Sequence, residues 1–375
     1  MKMNRTLSIL LMGLLGTVAC LADDLVITGF HGHGELTVTG LWSNAFCRIE
    51  WASSVDGPWL RSWQPLDNEE ATNATITFSV PMFYRVVMSS NPPPAGMVLV
   101  DAGSFQMGNN YYPSEGTVDE TPVHEVNVSA FYMDRYEVSH ALWDDVRIWA
   151  TNQGYNFLLP GDSGTNLPKA LVNWYDVVKW CNARSQKEGL TPVYYTSSAK
   201  TTVYTNGSVN VSNDWVRWEA DGYRLPTEAE WEKAARGGLI GHHYPWNSSG
   251  GVYGDHIDGS SANYSGSGDP YEAGKTPIGY YNSGQTPAGS DMANGYGLYD
   301  MAGNVYEWCW DWYLSDYYDS SPGEKPKGPA NGTTRVVRGG SFNDLTDELR
   351  CANRINLHPN LTPYSHLGFR SVRGL

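Results

Sequence analysis

The chain has 375 residues with 40 acidic against 25 basic side chains, a formal net charge of −15. That balance excludes a nucleic acid or an anionic lipid surface as an electrostatically held partner, while surplus carboxylate oxygens suit a hard cation such as Ca²⁺. Aromatic residues make up 13% of the chain, as 24 Tyr, 15 Trp and 9 Phe, beside 40 Gly and 21 Pro; this points to a loop-rich fold in which rings do much of the packing.

Met1–Ala22 reads as an export signal: Lys2 and Arg5 form a basic start, and Leu7–Val18 is an apolar run too short to span a bilayer. Small residues then lead to a cut after Ala22. Removing this segment leaves 353 residues and a charge of −17, from 23 basic against 40 acidic side chains. The competing outcome is a lipid anchor on Cys20, for which Thr17 is a poor signal residue. No other segment is long and apolar enough to cross a membrane, so the expected location is exported: periplasmic, cell-surface or secreted. Cys47, Cys181, Cys309 and Cys351 remain after export, with no CxxC spacing. The compartment permits disulfides, and sequence leaves their pairing open.

Residues 23–88 alternate in the manner of strands over Leu25–Phe30, Glu35–Thr39, Phe46–Trp51, Ala74–Phe78 and Phe83–Val87, separated by turn residues. This predicts a small all-β, sandwich-like module, read as a spacer or adhesion unit. A Pro-rich linker over 89–96 follows, and a second domain fills 97–375. In it, Ser139 predicts the N-cap of a helix near His140–Thr151. Asn173–Asn182 has helical spacing and places Cys181 on an amphipathic helix. Val, Tyr and Thr alternate from Thr191 to Asp221 around Asn206-Gly207, a hairpin signal. Thr227 and Glu230 predict a capping box, with Trp231 turned inward and the helix stopping at Gly237-Gly238.

Three motifs then stand out: Arg224-Leu-Pro-Thr-Glu-Ala-Glu-Trp231, Gly303-Asn-Val-Tyr-Glu-Trp308, and Arg338-Gly-Gly-Ser-Phe342 running on to Gly368-Phe-Arg370. With Met97–Gly108 and Thr121–Phe131 before them, they resemble the formylglycine-generating enzyme family, also called the sulfatase-modifying factor domain, over roughly residues 97–374. The resemblance implies an α+β, irregular C-type-lectin-like fold with little regular secondary structure.

Asp300 and Glu307, seven residues apart, flank a Gly-Asn turn, so side-chain and backbone oxygens can converge on one hard cation. In the family this segment holds Ca²⁺; carried over, its ligands are the side chains of Asp300 and Glu307 and the carbonyls of Gly303 and Val305. The bland alternative is that Glu307 is a paired core carboxylate. A second family Ca²⁺ site falls on Asn263, Tyr264, Asp269 and Tyr271, in a loop shorter than the family's. Either ion would be structural.

The resemblance also places the family pocket at Tyr306, Ser341, Asp344 and Thr346. Active members carry there a cysteine pair that binds Cu(I), a soft ion that prefers sulfur, and convert a substrate cysteine to formylglycine with O₂. Here the two cysteine positions fall on or near Asp344 and on Thr346, and Tyr306 replaces the usual Trp. The resemblance matches Cys351 and Cys181 to two family bridge cysteines whose partner positions are Ala235 and Ser371, so both are expected as buried thiols, the alternative being a bridge between the two. His358 and His366, with Asp344, Asp347 and Glu348, are candidates for a rebuilt metal site, against a default of surface loop residues. Two function classes follow. One is a Ca²⁺-stabilised, non-oxidase binding or scaffold protein for a peptide, a glycan or an exported protein. The other is a formylglycine-generating enzyme acting on an exported sulfatase through non-standard residues.

Overall fold

The computed structural model describes residues 93–109, 116–158, 165–246, 256–271, 273–361 and 364–375, together with the backbone of strands between residues 5 and 89. The chain divides into two compact units, Met1–Pro94 and Ala95–Leu375. In the first, Val26–His31, Glu35–Thr39 and Thr75–Ser79 form one antiparallel sheet. Phe46–Ala52 lies in another, with Phe83–Ser89 along one side and the short strands Leu60–Arg61 and Glu69–Glu70 also pairing with it. These five longer strands are the ones the alternation pointed to. Arg5–Ser8, inside the stretch read as an export signal, pairs with Phe83–Ser89. Cys20, Cys47 and the other side chains before residue 93 lie outside the described residues.

The second unit holds strands β1 (Met97–Val100), β2 (Gly103–Met107), β3 (His124–Val128) and β4 (Phe131–Asp134), then helices α1 (His140–Asn152) and α2 (Trp174–Lys187). Next come β5 (Tyr223–Arg224), α3 (Glu228–Arg236), β6 (Tyr306–Trp312), β7 (Arg335–Arg338), β8 (Ile355–Leu357), β9 (Leu367–Gly368) and β10 (Val372–Arg373). β2 and β3 make a hairpin-like pair; β5, β10, β4 and β1 form one sheet in that order, and β8, β7, β6 and β9 another. The helices start where side-chain acceptors meet free N–H groups. Ser139 accepts from Leu142 N, Asn173 from Asp176 N, and Thr227 and Glu230 close a reciprocal capping box. Gly237 ends α3 in the left-handed conformation at φ 56°. The expected hairpin over 191–221 is not formed as a ladder: only the isolated bridges Tyr194–Val216 and Tyr195–Val203 appear. At these bridges the backbone pairs Thr196 N with Thr202 O, Tyr204 N with Tyr194 O, Tyr195 N with Trp215 O and Arg217 N with Val193 O. The Asn182 side chain pins the same stretch, donating to the carbonyls of Tyr194 and Tyr204 and accepting from the N–H groups of Val193 and Tyr194.

β6 explains how the domain packs. A strand points alternate side chains to opposite faces, and this one is buried along its whole length. Tyr306, Trp308 and Trp310 enter a core with α1, α2 and Phe369, where Trp143 and Trp180 stack with ring centroids 5.7 Å apart. Cys309 enters a second core with Trp231, Ala235, Leu298 and Cys351. Arg335 on β7 stacks between Trp174 and Trp312, 3.7 and 3.4 Å from their centroids.

Candidate calcium centre and family pocket

The 300–307 turn and the 338–344 strand end are stitched together by backbone. Gly303 N donates to Gly339 O at 2.8 Å, Phe342 N to Asn304 O at 3.0 Å, and Tyr306 N to His366 O at 2.8 Å. Gly303 is required there: its φ is +83°, and a Cβ would lie 2.2 Å from the Asn263 carbonyl oxygen. Gly340 is held the same way, at φ +71° with Leu349 and the Glu348 carbonyl against it.

Around this turn stand three acidic side chains and one guanidinium. Glu307 accepts from Arg370 Nε and Nη2 at 2.7–2.8 Å and from Trp231 Nε1 at 2.7 Å. It is therefore a paired core carboxylate, the bland alternative, whatever else it binds. Asp300 accepts from Gly279 N at 2.6 Å through Oδ2, while its Oδ1 is shielded from solvent with no hydrogen-bond partner. Glu137, which sequence reasoning passed over, completes the group: Oε2 accepts from Asn304 Nδ2 at 3.1 Å and Oε1 from Val305 N at 3.4 Å. Burial pushes Glu137 well above the carboxylate range, and the charges of Asp300 and Glu307 push it further against the pull of Arg370. Burial likewise raises Asp300 to about 6, against the Gly279 bond and Arg370.

The second candidate set shows one orphan as well. Asn263 is 1% exposed; its Nδ2 donates to Gly274 O, but its Oδ1 has no partner. Asp269 is already occupied, accepting from Tyr271 N at 2.6 Å, Ser267 Oγ at 2.7 Å and Tyr281 OH at 3.1 Å. Tyr264 and Tyr271 lie half-buried beside them. Among the described residues, no three His, Cys, Asp or Glu side chains gather as a metal-holding group. Any cation in this region would need carbonyl oxygens beside the carboxylates, as the expected ligand sets include.

In the family pocket, Ser341, fully buried, donates its hydroxyl to Asp344 Oδ2, and Asn343 N donates to Ser341 Oγ at 3.3 Å. Tyr306 hydrogen-bonds Asp344; burial raises its phenol, and the nearby charges of Asp344 and Glu348 add to this. His366 stands among Tyr364, Tyr306 and Phe342 at ring-centroid distances of 4.9, 6.1 and 6.1 Å. Burial lowers its pKa, with Asp344 opposing. Thr346 opens a short 3₁₀ turn and offers its carbonyl to Tyr244 OH at 3.2 Å. His358 is exposed and takes the Asn360 N–H into a local turn, so of the two candidate histidines only His366 faces Tyr306. Cys181, Cys309 and Cys351 are buried thiols with no disulfide, and burial raises those of Cys181 and Cys309. Ala235 packs in the same core as Cys351. Ser371, at the partner position of Cys181, instead joins a buried Asp134–Arg184 pair through its hydroxyl.

The irregular sheets, short helices and loop-built centre define an α+β protein of the C-type-lectin-like kind. Residues 84–375 match the family described as the sulfatase-modifying factor enzyme 1-like domain, and the chain belongs to that family. It is 36% identical over 283 residues to serine/threonine-protein kinase pkn1 of Chlamydia caviae, covering 74% of this chain and 38% of that protein. The chain thus spans well under half the length of that relative. It is 36% identical over 298 residues to the formylglycine-generating enzyme of Thermomonospora curvata, covering 73% of this chain and 92% of the enzyme. Among solved structures it is similar to Treponema denticola variable protein 1, with TM-score 0.55 and 28% identity, covering 79% of this chain and 97% of that one.

Proposed function

We propose that the chain is an exported binding or scaffold protein, stabilised by Ca²⁺, that has the sulfatase-modifying factor fold without its copper oxidase chemistry. One observation carries this: the pocket where that chemistry needs two thiolates holds a serine hydroxyl bonded to an aspartate, and the described thiols are buried in the cores. Hydroxyl and carboxylate oxygens do not suit Cu(I). What the pocket offers a ligand is an aspartate, an asparagine amide and rings from Tyr306, Tyr364 and His366, groups suited to a peptide, a glycan or an exported partner protein.

The calcium reading has its own support. Asp300 Oδ1 is a buried oxygen without a partner, and three carboxylates stand against one guanidinium. Asp300, Glu307 and the carbonyls of Gly303 and Val305 would hold the ion; Asn263, Asp269 and the carbonyls of Tyr264 and Tyr271 would hold a second. When bound, Ca²⁺ would pin loops that have no sheet ladder to fix them. Export rests on the Met1–Ala22 pattern.

The test incubates the full chain with Ca²⁺ and a Cys-x-Pro-x-Arg peptide, with and without Cu(I), and follows thiol-to-aldehyde conversion by mass spectrometry. No conversion is expected; copper-dependent turnover would overturn the reading. A second reading, an enzyme that modifies an exported sulfatase, is favoured by the 36% identity to the Thermomonospora curvata enzyme, and turnover would establish it.

A further inference from the structure

We infer that Glu137, absent from the expected ligand sets, governs the calcium affinity of the 300–307 turn as a positioning residue, holding the Asn304–Val305 backbone and supplying charge the ion must balance. This rests on the calcium reading above.

Two features carry it. The first is arithmetic. Glu137 and Glu307 are 1% and 0% exposed, Asp300 buries its free oxygen, and the cation that pairs with this group is Arg370. With all three ionised, as a bound cation would require, three carboxylates against one guanidinium leave two negative charges, the complement of one divalent cation. Without Glu137 the surplus falls to one. Burying a surplus charge is unfavourable unless something neutralises it.

The second is geometric. Glu137 reaches the turn from the segment between β4 and α1, more than 160 residues away in sequence, and its two oxygens take the Asn304 amide and the Val305 N–H. Those residues lie between the two carbonyls, of Gly303 and Val305, that would face the ion. Asn304 sits at φ +61°, in the left-handed region that asparagine tolerates better than other non-glycine residues. Its side chain is bound on both sides: Nδ2 donates to Glu137 and Oδ1 accepts from Thr276 N at 3.0 Å. Glu137 is thus a strut under the carbonyl-bearing turn. Partners of this outer kind change metal affinity by about 10–100-fold when removed.

The role makes a prediction that a merely structural residue would not. In Glu137→Gln, calcium affinity should fall at least about tenfold, and the melting temperature should drop further in Ca²⁺ than in EGTA, where only one of the two accepted hydrogen bonds is lost. Glu137→Asp keeps the charge and should bind calcium more tightly than Glu137→Gln. The experiment is calorimetric Ca²⁺ titration of the full chain and both variants, with melting curves in EGTA and in Ca²⁺. Wild-type affinity in Glu137→Gln overturns the inference. So does an equal loss of melting temperature in EGTA and in Ca²⁺, which would make Glu137 a packing residue. If the wild type shows neither Ca²⁺ heat nor Ca²⁺-dependent stabilisation, the calcium reading itself fails.

Discussion

Around α3, Glu228, Glu232 and Asp311 meet Arg236, Arg338 and Arg354; around the 300–307 turn, Glu137, Asp300 and Glu307 meet Arg370. In the first group each guanidinium reaches a carboxylate. Arg354 pairs with Glu228 through two 2.8 Å bonds, Arg338 donates to Glu232, and Arg236 holds the other Glu232 oxygen at 2.9 Å. Arg338 also serves two backbone carbonyls, of Ala352 and Asn353. The second group is short of positive charge. Burial costs an ion several kcal/mol unless it is paired. The first group balances three carboxylates with three guanidiniums, although Asp311 takes the Glu228 N–H rather than a guanidinium and Arg338 Nε has no hydrogen-bond partner, while the second carries excess negative charge. The difference separates a charge-balanced cluster from one whose excess negative charge the proposed Ca²⁺ would offset.

Breaking the charge-balanced cluster should have the largest effect. Arg338→Met leaves Glu232 buried beside one remaining guanidinium, and a loss of about 3–5 kcal/mol is expected, equal in EGTA and in Ca²⁺ by denaturant titration. A calcium-dependent loss would mean that the two clusters are coupled and the contrast is false. The helix start beneath the same cluster is worth less. Thr227→Ala removes the hydroxyl that caps Glu230 N at 3.2 Å and should cost about 1 kcal/mol, again without regard to calcium.

A third test, read against pH, concerns a buried cation on α3. Lys233 donates to Gly103 O at 2.6 Å, and burial lowers its pKa to about 8. Its folded value lies below the unfolded value of roughly 10.4, so the unfolded chain binds more protons between them. The penalty is full below pH 8 and fades as pH rises above it, so stability should climb through pH 8–9.5. Lys233→Met should remove that climb; an unchanged slope would show that Lys233 titrates like a solvated lysine.

Much of the framework was legible because it depends on local chemistry. Ser139, Asn173, Thr227 and Gly237 act within a few residues of themselves, and a hydroxyl or amide before a helix has the same use wherever the helix lies. The alternation of the first unit marked its longer strands for the same reason. The 191–221 segment misled in degree: its stretches pair with one another only at two bridges, and Asn182, on α2, supplies further hydrogen bonds. Nothing near residue 200 could signal that.

Glu137 was illegible for the same reason at greater range. In Asp134-Arg-Tyr-Glu-Val-Ser139 it reads as a residue leading into a helix. Only the closed structure brings it to the Asn304–Val305 turn, and only there does its charge add to those of Asp300 and Glu307. Arg370 is similar: the Gly368-Phe-Arg370 motif marks it, but its bond to Glu307 appears only once β9 pairs with β6.

The sequence by itself determined the family, the helix caps, the turn glycines and the loss of the paired thiols, since each is a matter of which residue stands at one position or within one turn. The tertiary structure decided which carboxylates share a buried space, which guanidinium answers them and which oxygen is left without a partner. Those are sums over distant segments, and electrostatic energy in a desolvated interior depends on the full set of neighbours.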